Sequence, residues 1–312
     1  MITLNHLGER NWIKHMSAAL PTRPDVVEGV GDDCAVVSTG GAHDWLLTSD
    51  AVIEGVHFDT GTAYQRIGHK ALARALSDIA AMGGEPRWAL IDLVIPPDVE
   101  LVCVDDLYSG INALAAKHQV AIVGGDTAHA SQLEIHVFLT GSVPTGRFIR
   151  RSGAQVGDGL WVTGRLGGSR SGHHLDFEPR MAEGRFLREW ATSMIDISDG
   201  LAIDASHLAI MSNVGFLIRA DDLPLRQELR KTVPYPTAID HALYDGEDFE
   251  LLFTVPAKRT LAFQSAWSHA GLCPLTRIGT ASMDAGLVCL QMADGSIQAC
   301  KAEGYDHFQH GG

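Results

Sequence analysis

The chain has 312 residues, of which 46% are hydrophobic and 20% charged, with 33 glycines and 12 prolines. This is a globular composition, and at roughly 150 residues per domain the length points to two domains. The 24 basic and 38 acidic side chains leave a formal charge of −14, which repels phosphate backbones and anionic lipid, so neither nucleic acid nor membrane is an expected partner.

The N-terminal MITLNHLGERNWIKHM is mixed polar and has no apolar signal core. Trp45–Ser49 and Val52–Phe58 read as strand material, rich in β-branched and aromatic residues. Over Gly68–Met82, Ala71, Leu72, Ala75, Leu76, Ile79 and Ala80 recur at helical spacing, and Gly83-Gly84 followed by Pro86 reads as a stop. Trp88–Ile95 predicts a buried strand ended by Pro96-Pro97. Asp105–His118 predicts an amphipathic helix, and Val120–Val123 and Leu133–Val143 further strands.

At Pro144–Gly153 the texture changes to turn residues and arginines, which marks a domain boundary. Beyond it come a strand at Gly159–Thr163, a glycine-rich turn at Gly164–Gly172, a helix near Met181–Trp190 and another opening at Ser198–Asp199. A proline-rich loop (Leu223–Pro236), a strand (Glu250–Val255), a helix (Lys258–Ala270) and short terminal strands complete the chain. Strands and helices mix without a steady βαβ period, which favours an α+β fold. The five cysteines form no Cys-x-x-Cys pair, arguing against a disulfide framework or zinc knuckle. No apolar run approaches the ~18 residues of a membrane span, so a reduced, soluble, cytoplasmic protein is expected.

The company the aspartates keep is more informative. Asp32-Asp33, Asp50, Asp78, Asp126 and Asp196/Asp199 each lie beside glycine, serine or threonine. Small neighbours let the backbone approach a ligand, and carboxylates and hydroxyls suit hard cations such as magnesium. For any one segment, turn or capping chemistry is the simpler reading. Asp78 resists it, because it sits in a helix beside Leu76, Ile79, Ala80, Ala81 and Met82, and a carboxylate there must face solvent, pair with a cation or hold a metal. Ser198 either caps a helix or touches a nucleotide. The P-loop, G-x-G-x-x-G, G-x-S-x-G and H-E-x-x-H patterns are all absent. Phosphate handling would therefore rest on cations held by carboxylates, with Arg150 or Arg151 as the positive supplement.

Eight collinear segments carry a resemblance: GDDCAVV, LLTSDAVIEGVHFD, GHKALARALSDIAAMGGEP, VGGDTA, RRSGAQVGD, VTGRLGGS, DISDGLAIDASHLA and YDGEDFELLFT. Together they resemble the thiamine-monophosphate kinase family, of the ATP-binding superfamily that includes aminoimidazole ribonucleotide synthetase, from about Gly31 to Phe308. The resemblance implies an α+β, aminoimidazole ribonucleotide synthetase-like fold in two domains. Residues 1–146 would bind ATP and magnesium and dimerise, their sheets pairing in a homodimer, and residues 147–312 would form a second α+β domain. The implied reaction is direct, magnesium-assisted in-line transfer from ATP to thiamine monophosphate, giving thiamine diphosphate, with several Mg2+ ions and no phosphoenzyme.

Carried over by motif, Asp33, Thr48, Ser49, Asp50, Asp78, Asp126, Asp196 and Asp199 would bind magnesium, with Asp32 an alternative to Asp33. Tyr108, Gly125, Asp126, Arg151 and Ser198 match ATP-contacting positions, and His57, Glu247 and Tyr305 match those around thiamine monophosphate. His57 alone would also read as a core histidine, and Tyr305 as a packing aromatic. No catalytic base is expected, since an ionised phosphate acceptor is already nucleophilic. One departure is the stretch HHLDFEPRMAEGRFL after Gly172, shorter than the corresponding family linker, although Pro179-Arg180 is kept. Aminoimidazole ribonucleotide synthetase and selenophosphate synthetase are the competing superfamily members. The latter would carry a reactive cysteine near the N-terminus, whereas no cysteine precedes Cys34.

Overall fold

A computed structural model of the chain describes residues 3–301 and Phe308. Tyr305 therefore lies outside the described residues. Two short helices, α1 (Leu4–Leu7) and α2 (Glu9–Ser17), lead into a seven-stranded sheet. Its strands are β1 (Val26–Glu28), β2 (Ala35–Ser38), β3 (His43–Ile53), β4 (Glu85–Val94), β5 (Ala121–Gly124), β6 (Thr127–Ala128) and β7 (Glu134–Pro144). The order is β1-β2-β3-β7-β4-β5, with β6 also on β4. Within β3, Asp44, Leu46 and Val52 are buried while His43, Leu47 and Ser49 are exposed. That alternation assigns Thr48 and Asp50 to the inner face and Ser49 to the outer one.

The inner face is covered by α3 (Tyr64–Ala81), which packs on α4 (Leu101–His118). The two helices touch through glycines. A Cβ on Gly68 would lie 2.0 Å from the Leu107 carbonyl oxygen, and one on Gly110 would lie 1.9 Å from that of Gln65. Backbone-to-backbone approach this close tolerates no side chain. Gly68 is thus an interior packing residue, and α3 starts at Tyr64, one turn before the expected boundary.

The second seven-stranded sheet contains β8 (Gly159–Thr163), β9 (Ser193–Asp196), β10 (Gly215–Arg219), β11 (Leu251–Val255), β12 (Leu275–Ser282), β13 (Val288–Gln291) and β14 (Ile297–Ala299). Its order is β14-β13-β10-β12-β8-β11-β9. Helices α5 (His173–Asp176) and α6 (Met181–Leu187) lie against α3. On the other side are α7 (Leu201–Ser212), α8 (Gln227–Thr232) and α9 (Tyr235–Tyr244), while α10 (Thr260–Ala270) packs its Phe263 and Trp267 into the core on the α3 side. Trp161, Met194, Leu251 and Phe253 join one buried cluster with the α3 residues, whereas Val162, Ile195 and Leu252 join α7 and α9 in another. Alternate residues of the same strands thus feed two cores, and α3 lies between the sheets, in contact with both β3 and β9.

Several element boundaries differ from expectation. The strand expected at 45–49 and the first two residues of the one expected at 52–58 are one strand, β3, with Asp50 opposite Val137 within the ladder rather than at an end, and residues 54–58 form a turn with an isolated bridge. The expected stop at Gly83-Gly84 does end α3, at Ala81, while Pro86 enters β4 two residues before the expected strand start, at a register irregularity between Pro86 and Trp88, where a missing N–H is tolerated. The proline-rich loop holds α8 and the start of α9, whose Pro236 sits in the first turn, where proline leaves no bond unmade. Finally, α7 opens at Leu201 after Gly200, not at Ser198.

Candidate active site

Three aspartates from distant parts of the chain converge beside α3. Asp33 precedes β2, Asp78 lies in the last turn of α3 and Asp196 ends β9. One carboxylate oxygen from each lies within 4.8 Å of the others. Thr48, one residue pair from Asp50 on β3, donates to Asp78, and Ser77 Oγ donates to Asp196 Oδ2 at 2.6 Å. Arg151 Nη2 donates to Asp33 Oδ1 at 2.6 Å, while Asp33 Oδ2 is buried without a hydrogen-bond partner among the described residues. Asp32 is turned to a different task. Its carboxylate accepts the backbone N–H of Arg151 at 3.1 Å, so Asp33 is the member of the pair that joins the cluster.

This concentration of charge is costly without a cation. Burial, and then the charge of Asp33, push the carboxyls of both Asp32 and Asp196 up to about 7. Burial also raises Asp33, and burial followed by Asp50, Asp196 and Asp33 raises Asp78 well above the carboxylate range. A carboxyl whose folded pKa exceeds its unfolded value holds a proton that unfolding releases. Metal-free, the cluster's contribution to stability is therefore present at low pH and lost as pH climbs from ~4 towards 7. A divalent ion must displace those protons. The rise in Tm produced by Mg2+ should therefore be larger at pH 8 than at pH 5.5 in paired melts with Mg2+ or EDTA. Equal rises at both pH values would mean the cluster does not take the ion.

Next to the cluster is a pocket with about 430 Å3 of open space. Val56 and His57 form one wall, Arg74 of α3 another, and Ser198 and Asp199 come from the β9–α7 turn. Asp245, Glu247, Phe249 and Arg170 close it. His57 is buried and its Nδ1 accepts the Ile53 N–H at 3.1 Å, which leaves the proton of the neutral ring on Nε2. The core-histidine reading and the pocket reading therefore both apply to it. Behind the wall, fully buried Lys70 donates to the His57 carbonyl at 2.5 Å and forms an ion pair with Glu247 Oε1 at 2.6 Å. Burial pulls the Lys70 ammonium down to about 8 against the opposing pull of Glu247.

Residues 31–143 match the family model for AIR synthase related protein, N-terminal domain. The thiamine-monophosphate kinase of Escherichia coli (strain K12) is 34% identical over 308 residues, covering 92% of this chain and 94% of the relative. That of Aquifex aeolicus (strain VF5) is 36% identical over 278 residues, covering 82% and 88%. The solved structure of AaThiL complexed with AMPPCP and TMP superposes with a TM-score of 0.85 at 32% identity, covering 98% of this chain and 99% of that one. The chain belongs to the thiamine-monophosphate kinase family.

In this member of the thiamine-monophosphate kinase family, the GEDFEL segment divides its three acids between two jobs. Glu247 and Phe249 both have left-handed backbones, with φ of 55° and 50°, a costly conformation for such residues. It is held by Glu247 N–H to the Ser198 carbonyl at 2.7 Å and Phe249 N–H to that of Ile197 at 2.8 Å. The turn sends Glu247 into the pocket and its neighbours away from it. Asp248 accepts Arg226 Nη2 at 2.8 Å and the Gly167 N–H at 2.9 Å. Glu250 takes a two-pronged bond from Arg180, at 2.7 and 2.6 Å, so the Pro179-Arg180 pair braces this turn. Ser198 caps nothing: Gly200 is the N-cap of α7 and makes no side-chain bond. The N–H groups of Asp199 and Gly200 are instead bound by Asp204, both at 3.1 Å.

Other expected site residues are not brought to the cluster by one chain. Ser49 is exposed on the outer face of the first sheet. Gly125 packs on Ile91, where a Cβ would lie 1.8 Å from the carbonyl oxygen, and exposed Asp126 binds Asp92 Oδ1 through its N–H at 2.8 Å. From Asp50 the ladder runs through Val137 to Ile91, so Asp126 is roughly 14 Å away, three strand spacings. Tyr108, half-buried on α4, packs on the core and does not line the pocket. Conversely, Lys70, Arg74, Arg170, Asp245 and Phe249 belong to the pocket or its support without having been expected there. For Lys70 and Arg74 a signal existed in GHKALARALSD, since positions 70, 74 and 78 fall on one helical stripe.

Proposed function

We propose that this protein transfers the γ-phosphoryl group of ATP to thiamine monophosphate, giving thiamine diphosphate and ADP. The observation that carries the proposal is the convergence of Asp33, Asp78 and Asp196 beside a pocket containing His57 and Glu247. The near-full-length likeness to thiamine-monophosphate kinases supports the choice of substrate.

The donor set fits magnesium. It is all oxygen, lacks the sulfur and imidazole that select softer ions, and includes a buried oxygen of Asp33 with no other partner among the described residues. Asp33, Asp78 and Asp196 would hold such ions, with Thr48, Asp50 and Asp199 close enough to serve further ones. Bound magnesium would neutralise two anions that must meet. The remaining work is positioning. Arg151 anchors Asp33, and Lys70 fixes Glu247 and His57 in one geometry. The acids Asp199, Asp245 and Glu247 suit the thiazolium cation, Phe249 offers a ring face and Val56 an aliphatic surface. No side chain needs to act as a base, because the attacking group is an ionised phosphate. Cys34 is no nucleophile, since burial and then Asp78 hold its thiol far up.

The same reading includes a homodimer built on the N-terminal unit, residues 1–146. The outer face of the first sheet exposes Leu47, Trp88, Leu90 and Phe138 in adjoining positions, with Trp45 stacked on Trp88 at 5.2 Å. A contiguous apolar face of this kind marks an interface. A second copy joined there would add its Ser49, Gly125, Asp126 and Tyr108 to the shared site, which accounts for their distance from the cluster within one chain. Five free cysteines and the absence of any helix long and apolar enough to cross a membrane among the described residues support a cytoplasmic location.

Incubation of the purified protein with ATP, Mg2+ and thiamine monophosphate is expected to yield thiamine diphosphate and ADP in equal amounts by chromatography. ADP formed at the same rate with and without the acceptor would instead indicate a phosphatase.

A further inference from the structure

We propose that Arg74 is a phosphate-binding residue of the pocket: its guanidinium, now paired with Asp50, receives the phosphate of thiamine monophosphate. The inference deepens the functional reading above and rests on it.

Arg74 is the pocket's cation at the end nearest the aspartate cluster. Its Nη2 lies 3.1 Å from Asp50 Oδ1, and Asp50 adjoins Thr48 and Asp78. The other cation on the wall, Arg170, belongs to the 169–171 turn and also lines a separate groove with Arg165 and Arg226. A phosphoryl group handed over at the cluster requires the acceptor phosphate at the Arg74 end. The organic part of the ligand then extends towards Phe249, Glu247 and Arg170.

Arg74 is also far from satisfied by the protein. A guanidinium carries five N–H donors, yet among the described residues one good bond reaches Asp50, and Glu247 stands off at 3.8 Å from Nη1. Its Nε is buried with no hydrogen-bond acceptor among the described residues. Glu247 does not need Arg74, because Lys70 already sits 2.6 Å from the same carboxylate oxygen. The long side chain is steadied over the Phe249 ring, 5.9 Å from its centroid, which itself stacks on Phe177 at 4.1 Å. Buried polar groups normally find partners, and a fork-shaped donor with spare N–H groups matches phosphate oxygens. Lys70 has a different role. It is fully buried behind the wall and is a positioning residue for Glu247 and His57.

Titration calorimetry with two ligands separates a phosphate contact from a structural one. Thiamine monophosphate and thiamine differ by the phosphate alone, so their affinity ratio reads what that group contributes. The wild-type protein should bind thiamine monophosphate more tightly than thiamine, both with and without Mg2+. Arg74→Gln should weaken thiamine monophosphate at least about tenfold, the scale of one lost charge-assisted bond, and leave thiamine within about twofold. Arg74→Lys should recover part of the ratio, and it is the variant to use if Arg74→Gln does not fold. An unchanged ratio in the variants, or an equal loss for both ligands, would overturn the assignment. So would a wild-type protein that binds thiamine as well as its monophosphate. The kinase assay on wild-type protein decides the functional reading separately: thiamine diphosphate formation with an unchanged Arg74→Gln ratio leaves the activity standing and removes Arg74 from it.

Discussion

Replacing Asp78 with asparagine is expected to cut thiamine diphosphate formation at least about a hundredfold, the scale of losing one preorganised electrostatic element, while making the metal-free protein more stable. Both effects have one cause. Asp78 meets the charges of Asp50, Asp196 and Asp33 in a desolvated site, which together with burial raises its pKa well above the usual range. Asparagine keeps the shape and an oxygen to accept the Thr48 hydroxyl, so the swap removes like-charge repulsion without opening a cavity. It also removes one of three converging oxygens that carry charge for a cation. Three measurements test this: turnover at saturating Mg2+, Tm in EDTA, and the rise in Tm on adding Mg2+. The expected pattern is low turnover, a higher Tm in EDTA and a diminished response to Mg2+. Near-normal turnover in a folded Asp78→Asn protein would remove the cluster from the chemistry.

A mixture of two inactive variants should regain activity. Asp126→Asn is expected to lose at least about a hundredfold on the same electrostatic grounds, although Asp126 lies three strands from Asp50 in one chain. If a site combines Asp78 of one copy with Asp126 of the other, a heterodimer of Asp78→Asn and Asp126→Asn has one doubly altered site and one intact site. Random reassociation of equal amounts then restores about one quarter of the sites in a symmetric dimer. Dissociation with mild denaturant, mixing and dilution, followed by the kinase assay, gives the reading. Heterodimers verified by mass with no regained activity would show that each site is built from a single chain. Light scattering that reports a monomer would remove the apolar-face dimer altogether.

Much of the site was legible in the residues. The acid-bearing segments were picked out by their glycine, serine and threonine neighbours, and Asp33, Asp78 and Asp196 do meet in space. Asp78 stood out because its helical neighbours are apolar, and the structure gives it a hydroxyl and two carboxylates as company. Lys70 and Arg74 were overlooked although their spacing from Asp78 was available, because a basic residue on a helix ordinarily reads as a solvated face. Gly68 misled in the opposite direction. A glycine at a helix edge suggests a boundary, whereas here it lets α3 and α4 touch backbone to backbone.

The sequence by itself determined the mixed α+β character and the family, because composition, local period and collinear motifs are properties of the chain read in order. Tertiary structure alone decided that Asp33 and not Asp32 joins the cluster, that Ser49 turns to the opposite face from Thr48 and Asp50, and that Asp248 and Glu250 brace a turn while Glu247 enters the pocket. Adjacent residues share almost the same composition and motif but point in opposite directions along an extended backbone. Which of them faces a ligand depends on the register of strands and on partners some hundred residues away, and neither is written in local sequence.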